Sequence, residues 1–395
     1  MFYVQVARLE DPDGAGRQPL LIVGGTPDGR GVVTSASYEV RRFGVRSAMP
    51  TGEALRLCPG ASVVPVPRSA CASKSRAIER ALEALSPLVR AASIDEFYLD
   101  LGGTERLFQG ETLEDTARRI QRTVLAETGI TVSIGGGTNR LIAKVAAGQA
   151  KPGGVRVVPP GSEGAFMAPL PLTEIPGVGP TLTSFLAEHG LVHARDAVRV
   201  GEEWLVRWLG EERGRWLLDR SQGRSGASVR TREPRRSVSS ERTFFQDLTG
   251  DEEIEKELLR LARSAAAGLR GAGLRARTVT VKLRDPKFQT RSASHTLPDP
   301  VEADPAVFAV ARGLLGELRE RRRTPVRLLG VALSGLIEVE APRQMVLFAE
   351  GAGVETERDR VLSRVSDDLR ARFGKQGVFP ARLLRARDRD EEADA

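Results

Sequence analysis

The sequence has few cysteines and no long hydrophobic run, and both shortages exclude classes of protein. Its 395 residues include only two cysteines, Cys58 and Cys71, too few for a disulfide framework and not spaced as metal ligands. No segment approaches the roughly 20 apolar residues that a membrane helix needs. The opening residues, 1–5, lack the basic start and apolar stretch of a signal peptide. These features predict a protein of a reducing cytoplasm with no membrane partner.

The length and charge of the chain indicate several compact units and a basic region. A chain of 395 residues is too long for one ordinary core, so two to four units are expected. The net charge is +7, and residues 224–327 contain 22 Lys and Arg against 14 Asp and Glu, a local excess of +8. Such an excess is typical of proteins that bind a polyanion such as nucleic acid. An Arg-rich surface that reflects genome composition would give the same charge.

Apolar runs and turn residues predict an α/β unit in the first part of the chain. Strands are predicted over residues 19–25, 31–36, 93–101 and 131–135, and helices over 70–88 and 113–128. Strands that alternate with helices are typical of an α/β fold. The pattern from 159 to 221 is helical, and the Ser/Arg/Gly-rich residues 224–236 predict a linker.

A separate α/β unit is predicted from Ser237 onward. Residues 278–284 alternate apolar with polar or basic side chains, which predicts a half-buried strand that exposes Thr278, Thr280, Lys282 and Arg284. This face could follow a phosphate backbone, although an ordinary solvated face has the same pattern. A helix is predicted over about 357–373, and the acidic residues 388–395 are predicted to be disordered.

The most informative motif is Ser93-Ile94-Asp95-Glu96, which places two adjacent carboxylates in a short apolar run. Adjacent side chains of a strand point to opposite faces, so one acid could enter a buried site while the other approaches from its rim or through a backbone turn. Buried carboxylates need a cation, and oxygen ligands around a phosphate suit Mg²⁺. Two solvated acids at a strand end would explain the dipeptide taken alone.

Three further motifs contain residue types that bind phosphates. Residues 35–50 carry hydroxyls, a Tyr and an Arg one helical turn apart. Residues 139–154 place cations around a helix and a glycine-rich turn, as a triphosphate site would, although a solvated helix is the simpler alternative. Residues 175–191 have the form of a helix-hairpin-helix, whose amides at Gly177 and Gly179 would bind a DNA phosphate; a plain turn between helices is the alternative.

Together with residues 239–244, these motifs resemble the Y-family translesion DNA polymerases, in the bacterial DNA polymerase IV branch, in unbroken order from Phe2 to about Leu336. The resemblance implies a right-hand polymerase fold of palm, fingers and thumb with a little-finger domain. The implied domains are a palm of residues 1–3 and 66–158, fingers of 4–65, a thumb of 159–223 with the helix-hairpin-helix, a linker of 224–236, a little finger of 237–340 and a C-terminal segment of 341–395.

The resemblance also implies a role for each motif residue. Asp95 would be a Mg²⁺ ligand and Glu96 the adjacent catalytic carboxylate, with two Mg²⁺ ions in the site. Tyr3 would exclude a 2′-hydroxyl from the sugar site. The alternative is that Tyr3 is an ordinary aromatic residue of the core. The contacts to the substrate would come from Ser35, Tyr38, Arg41 and Lys151. The contacts to DNA would come from Gly177, Gly179, Lys282 and Arg284. The contacts to the clamp would come from Gln344, Leu347 and Phe348.

The Gln344–Phe348 segment resembles the short peptides that bind the bacterial sliding clamp, although a buried edge segment would have a similar composition. The segment lies beyond the last predicted strand. This position favours a clamp-binding role, because an extended segment can reach a partner's apolar pocket. The resemblance thus implies primer-template DNA, deoxynucleoside triphosphates and the clamp as partners of a monomer.

The sequence departs from the family pattern at three places. Family members carry a strand with a metal-binding Asp before the Phe-Tyr pair, whereas this sequence opens at Met1-Phe2, and acids are common where Ala7 and Gly148 stand. We expect the missing strand to be encoded in frame upstream; a truncated, inactive paralogue is the alternative. The expected palm would then have an unpaired sheet edge beside the strand that bears Asp95.

The sequence therefore predicts an error-prone, DNA-templated DNA polymerase. A non-catalytic polymerase-like protein that binds DNA and the clamp is the alternative, and the clustered charges at Asp95, Glu96, Tyr38, Arg41 and Lys151 argue against it. A helix-hairpin-helix nuclease or glycosylase would explain residues 175–191 but not 35–50.

Overall fold

The chain is described from a computed structural model over residues 1–104, 110–226, 229, 234–339, 355–374, 377, 378, 380 and 383. It divides into two compact units, Met1–Arg232 and Glu233–Ala395. Both units mix helices with strands, which confirms the predicted multidomain α/β and α+β class. No helix among the residues described is long and apolar enough to cross a membrane.

A three-stranded sheet lies near the start of the first unit. Its strands are β1 (Leu21–Gly24), β2 (Val33–Ala36) and β3 (Ser62–Val64), in the order β2-β1-β3. β1 runs antiparallel to β2 and parallel to β3, and all four of its residues are buried. The helices of this region are α1 (Phe2–Glu10), α2 (Tyr38–Arg41) and α3 (Thr51–Leu57). The two predicted strands are both present, each shorter than expected.

The region from residue 66 to 158 contains two separate two-stranded sheets. β4 (Leu88–Ala91) pairs antiparallel with β5 (Phe97–Asp100), and β6 (Ile134–Gly136) pairs parallel with β7 (Val155–Val157). The accompanying helices are α4 (Arg68–Glu83), α5 (Leu113–Thr128) and α6 (Arg140–Gln149).

Three of the predicted elements in this region have the wrong bounds. The helix predicted over 70–88 ends at Glu83, and Leu88 starts a strand. Pro87 is the physical reason, because it disfavours helical geometry at the residue before it. The strand predicted over 93–101 is only Phe97–Asp100, and that over 131–135 is Ile134–Gly136. The helix predicted over 113–128 is correct at both ends, where Thr112 forms a capping box with Asp115 and Gly129 adopts a left-handed conformation.

Residues 159–223 are helical, as predicted. They contain α7 (Glu163–Met167), α8 (Pro180–Glu188), α9 (Ala194–Leu209, kinked at Gly201) and α10 (Glu211–Ser221). Leu182, Leu186, Leu205 and Leu217 from these helices lie in one buried cluster, which also takes in Ile142 of α6. This packing fixes the helices to the region that carries the candidate site.

The second unit is an antiparallel sheet covered by helices. The strand order is β10-β9-β11-β8, and every neighbouring pair is antiparallel. Its elements are β8 (Ser237–Leu248), α11 (Asp251–Arg270), β9 (Leu274–Arg284), β10 (Thr290–Val301), α12 (Asp304–Arg321), β11 (Val326–Glu338) and α13 (Glu357–Phe373). The first strand of this unit begins at Ser237, and the predicted helix over 357–373 is confirmed.

α13 is attached to the rest of this unit by charged side chains. Asp304 at the start of α12 contacts Arg270 of α11 (2.9 Å) and Arg370 of α13 (3.5 Å), and Arg270 also contacts Asp367 of α13 (2.7 Å). The Arg270 side chain is only 6% exposed. A buried ion-pair network therefore joins three helices.

Candidate active site

Asp95 and Glu96 lie in the bend that connects β4 to β5, not within a strand. The backbone amides of Ala92 and Ser93 both donate to the Glu96 carbonyl oxygen, which closes the bend. The Ser93 hydroxyl donates to Asp95 Oδ1 (2.7 Å) and accepts from the Asp95 amide (3.3 Å). Of the two arrangements predicted for the acids, the structure shows the backbone turn, because a bend and not a strand pleat sets their directions.

Glu96 is held by a lysine and a tyrosine from different elements. Lys144 Nζ contacts both Glu96 carboxylate oxygens, at 2.6 and 2.5 Å, and the Tyr98 hydroxyl donates to Oε1 at 2.7 Å. Arg140, one helical turn before Lys144, stacks its guanidinium over the Tyr98 ring at 4.3 Å. Sequence reasoning assigned Lys144 and Arg140 only to a general phosphate-binding segment and left Tyr98 without a role. Their four-residue spacing on one helix was the available signal.

Local structure explains why α6 can deliver Lys144 to this place. Asn139 caps the helix by accepting from the amides of Leu141 (3.1 Å) and Ile142 (3.2 Å). Gly135 lets β6 lie directly against the helix, because a Cβ there would come within 2.0 Å of the Ala143 carbonyl oxygen. A side chain at position 135 would push α6 away from the site.

The surroundings of Glu96 favour its charged form. Burial raises its pKa, but hydrogen bonds from Lys144 and Tyr98 and the charges of Lys144 and Lys151 outweigh this, so the pKa of Glu96 lies below its usual value. Burial, together with the hydrogen bond to Glu96, raises the pKa of Tyr98 to about 12. Tyr98 is therefore a stable hydrogen-bond donor at neutral pH.

Two predicted phosphate ligands and Asp95 act electrostatically on the start of the chain. The pKa of the Met1 amino group is lowered by burial and by the charges of Arg41 and Lys151, while Asp95 acts in the opposite direction. Burial and the Asp95 charge raise the pKa of the Tyr3 hydroxyl. The charges of Arg41, Lys151 and Asp95, which come from three separate segments, therefore all act on the amino terminus beside Tyr3.

The remaining predicted substrate ligands lie at the β2–α2 junction. Tyr38 is the first residue of α2, and the Arg41 guanidinium, whose Nε donates to the Ala36 carbonyl oxygen (2.9 Å), lies 6.0 Å from the Tyr38 ring. Ser35 lies within β2 and is 4% exposed. The structure therefore places Tyr38 with Arg41, whereas Ser35 is buried in the sheet.

A cleft of about 1420 Å³ opens beside the two carboxylates. Asp95, Glu96, Lys144 and Lys151 line one part of it, and the rest is bordered by β5 and β6, with apolar walls that include Phe97, Leu99, Ile120, Val124 and Ile134. Among the residues described, β5 pairs only with β4 and β6 only with β7. The cleft thus separates the two small sheets and leads to the charged site.

The carboxylates suit a hard divalent cation, but they form a small donor set. Within the described ranges, no group of three or more His, Cys, Asp or Glu side chains is arranged to hold a metal ion. Mg²⁺ is commonly bound by one or two carboxylates, with water and substrate phosphates as the other ligands. Asp95 and Glu96 fit that pattern, and Lys151 lines the same cleft and can attract the phosphates.

The predicted helix-hairpin-helix has its turn at Gly177, Val178 and Gly179. Gly179 precedes α8, whose first residue is Pro180, and both residues are exposed. Gly177 has φ +104°, and a Cβ there would lie 2.6 Å from the Trp216 ring. Gly177 is therefore required by conformation and by packing, whereas a Cβ at Gly179 would meet nothing within 4 Å.

The predicted basic sheet face is present on β9. Val279, Val281 and Leu283 are buried while the residues between them are partly exposed, as the alternation predicts. Lys282 pairs with Glu241 of β8, and Arg284 Nε donates to the Thr290 hydroxyl (2.8 Å). Hydroxyl pairs Thr278–Thr296 (3.0 Å) and Thr280–Ser294 (2.9 Å) continue the face across β10. Gln344, Leu347 and Phe348 lie outside the described residues.

Comparisons with known proteins identify the family. The impB/mucB/samB family model matches residues 1–148, and the model of its C-terminal domain matches residues 235–347. The chain therefore belongs to this family, the Y-family of DNA polymerases, as its motifs predicted.

The relatives share most of the chain. A protein of Alkalilimnicola ehrlichii named DNA polymerase IV is 38% identical over 88% of this chain and 96% of its own length. A DNA polymerase IV of Caulobacter vibrioides is 34% identical over 98% of this chain and 93% of its own length. A solved Y-family DNA polymerase chimera superimposes with a TM-score of 0.75 at 27% identity, covering 85% of this chain and 97% of that one. The palm, fingers, thumb and little-finger architecture is that of these structures, and the family depends on divalent metal ions.

Proposed function

We propose that this chain is an error-prone translesion DNA polymerase that adds deoxynucleotides to a primer 3′ end on a DNA template. The cleft that Asp95 and Glu96 line together with Lys151 is the observation that carries the proposal, because it sets acidic metal ligands beside a phosphate-binding cation. Family membership and the names of the relatives support the same reaction.

The chemistry is the formation of a bond between the primer 3′-oxygen and the α-phosphorus, with loss of pyrophosphate. Arg41, Tyr38 and Lys151 bind and orient the triphosphate, and Tyr3 packs where a 2′-hydroxyl would lie. Asp95 and Glu96 would hold two Mg²⁺ ions, which stabilise charge on the attacking and leaving oxygens when bound. Ser35 belongs to the same proposed nucleotide site through the β2–α2 junction that precedes Tyr38.

The DNA contacts proposed for the chain are the amides at Gly177 and Gly179 and the side chains of Lys282 and Arg284. All of these would contact phosphates, which position a duplex without reading its sequence. Such contacts suit an enzyme that has to accept damaged templates. The proposed domain bounds remain those that the motifs imply, with a linker of 224–236 followed by a little finger of 237–340.

Gln344, Leu347 and Phe348 remain the proposed contacts to the bacterial sliding clamp. Replacing Leu347 and Phe348 by Ala should abolish clamp-stimulated synthesis and leave distributive synthesis unchanged. Equal clamp stimulation of the parent and the variant would contradict this. A monomeric state and a cytoplasmic location remain predictions of the sequence.

Primer extension with and without Mg²⁺, on an undamaged and a lesion-bearing template, tests the function. Asp95→Asn and Glu96→Gln should each lower the extension rate by about 10³-fold, because charge stabilisation in the transition state is lost. Asp100→Asn is the matched control, since Asp100 ends the same hairpin and its carboxylate accepts a hydrogen bond from the neighbouring Gly102 amide (3.0 Å).

The possible outcomes separate the alternatives. Extension by the parent that survives Asp95→Asn and Glu96→Gln would show that the site is misassigned. Binding of primer-template DNA without any extension by the parent would favour the non-catalytic accessory protein.

A further inference from the structure

Lys144 contacts the same carboxylate oxygens that a metal ion at Glu96 would use. Its Nζ lies 2.6 Å from Oε1 and 2.5 Å from Oε2, so one positive charge spans both oxygens. The Tyr98 hydroxyl takes a further lone pair of Oε1. A divalent cation that binds both carboxylate oxygens has to displace Lys144, and a cation on the remaining lone pair of Oε2 would lie against the Lys144 charge.

The two donors differ in how firmly they are fixed. Tyr98 stands on β5 and is covered by the Arg140 guanidinium at 4.3 Å. The Lys144 side chain is 42% exposed, and its ammonium ends a flexible stem of four carbons. Lys144 can therefore leave Glu96 and enter solvent, whereas Tyr98 stays in place.

We propose that Lys144 is a positioning residue that takes the place of the divalent cation at Glu96 and releases the carboxylate when the cation binds. The ammonium compensates a partly desolvated carboxylate in the metal-free protein and keeps it oriented toward the cleft. The inference rests on the proposed role of Glu96 as a metal-site carboxylate. Lys144 would thus neutralise Glu96 when no metal is bound and compete with the metal when it binds.

Competition between Lys144 and the divalent cation for Glu96 predicts whether removal of the lysine strengthens or weakens metal binding. Removing the ammonium removes a cation that the metal would otherwise displace, so divalent binding becomes tighter. Because the pair is partly exposed, solvent screening limits its strength, and the dissociation constant should fall by about two- to fivefold. A residue with a purely structural role would change thermal stability but leave this constant unchanged or raise it.

The experiment measures Mn²⁺ binding to the full-length protein without DNA or nucleotide, by loss of the free-ion electron paramagnetic resonance signal. Lys144→Met is compared with the parent, with Lys144→Arg, which keeps the charge, and with Lys256→Met as the control. Lys256 pairs with Glu252 on α11 at 2.8 Å, so it is a helical Lys–Glu pair in the other unit. The melting temperature of each protein is recorded in chelator and in Mn²⁺.

The expected result is tighter Mn²⁺ binding and a larger Mn²⁺-induced rise in melting temperature for Lys144→Met alone. The effect should disappear when Lys144→Met is combined with Glu96→Gln. An equal or higher dissociation constant for Lys144→Met, or binding in neither the parent nor this variant, would overturn the inference. If Glu96→Gln leaves parental Mn²⁺ binding unchanged, the assignment of Glu96 to the metal site fails, and the inference with it.

Discussion

Both units of this chain contain pairs of oppositely charged side chains, but the pairs differ in exposure and in what they do. In the first unit Lys144 and Glu96 form a pair in which both side chains are about two-fifths exposed, at 42% and 37%. In the second unit Asp304 is 11% exposed as a side chain and is surrounded by arginines, of which Arg270 is 6% exposed. The first pair lies at the edge of a cleft, whereas the second joins three helices.

Burial decides what each arrangement can do. An exposed pair contributes about 0–1 kcal/mol, so it can be broken and remade during a reaction. Breaking a buried pair leaves an uncompensated charge and costs about 3–5 kcal/mol, so that network serves attachment and not exchange. A charged cluster is therefore a candidate site only when solvent and ligands can reach it.

The largest expected effect comes from breaking the buried network. Asp304→Asn leaves Arg263, Arg270 and Arg370 without their shared acid and should lower the free energy of unfolding of the second unit by about 3–5 kcal/mol. Urea denaturation of the full-length chain measures this. Asp251→Asn is the control, because Asp251 pairs with Arg319 but is 56% exposed, and should cost less than about 1 kcal/mol. Equal losses for both variants would contradict the contrast between buried and exposed pairs.

Two glycines of the helix-hairpin-helix provide a comparison within the first unit. Gly177→Ala should cost about 2–4 kcal/mol of stability, because its φ of +104° strains an alanine and the new Cβ meets Trp216. Gly179→Ala should cost about 1 kcal/mol or less, since its φ is −93° and its Cβ meets nothing within 4 Å. Thermal unfolding and binding to primer-template DNA are measured for both. A tolerated Gly177→Ala would show that Trp216 does not constrain the turn.

The Lys282–Glu241 pair tests whether the sheet face of the second unit binds a polyanion. Lys282→Met removes one phosphate contact, so the slope of log K against log salt for DNA binding should become less steep by about 0.9. Glu241→Gln releases Lys282 from its acid and should tighten DNA binding by a few-fold, with a steeper slope. Filter binding at several salt concentrations measures both. Parental slopes in both variants would indicate an ordinary solvated face.

The smallest expected effect is the pH dependence of the Glu96 pair. Burial raises the pKa of Glu96, but the hydrogen bonds from Lys144 and Tyr98 outweigh burial, so the pKa is below its usual value in the folded protein. The ionised Glu96 therefore stabilises the fold above its unfolded pKa of about 4.5. This stabilisation is lost as the pH falls through the folded pKa. The parent should exceed Glu96→Gln in stability by up to about 1 kcal/mol at pH 7, and the difference should vanish in acid. Denaturation of both proteins between pH 3 and 7 checks this. A difference that persists at pH 3 would point to packing, not charge.

The sequence determined the elements whose pattern is local. Alternation over residues 278–284 predicted both the strand and its buried face, and the helical patterns over 113–128 and 357–373 predicted those helices, which the structure ends at the same residues. The family motifs predicted Asp95, Glu96, Arg41 and Lys151 as site residues, and the fold places Asp95, Glu96 and Lys151 on one cleft. Each of these predictions depends on spacing within a few residues, which a sequence shows directly.

Only the tertiary structure decided how the motifs meet. The bend at residues 92–96 depends on hydrogen bonds that close back on Glu96, and the Lys144–Glu96 contact joins residues 48 positions apart. The helices that pack over a charged residue decide its exposure, so that Arg270 is buried and Lys144 is exposed. Sequence spacing fixes the direction of a side chain within its own element, whereas its partner and its exposure are set by elements distant in the chain.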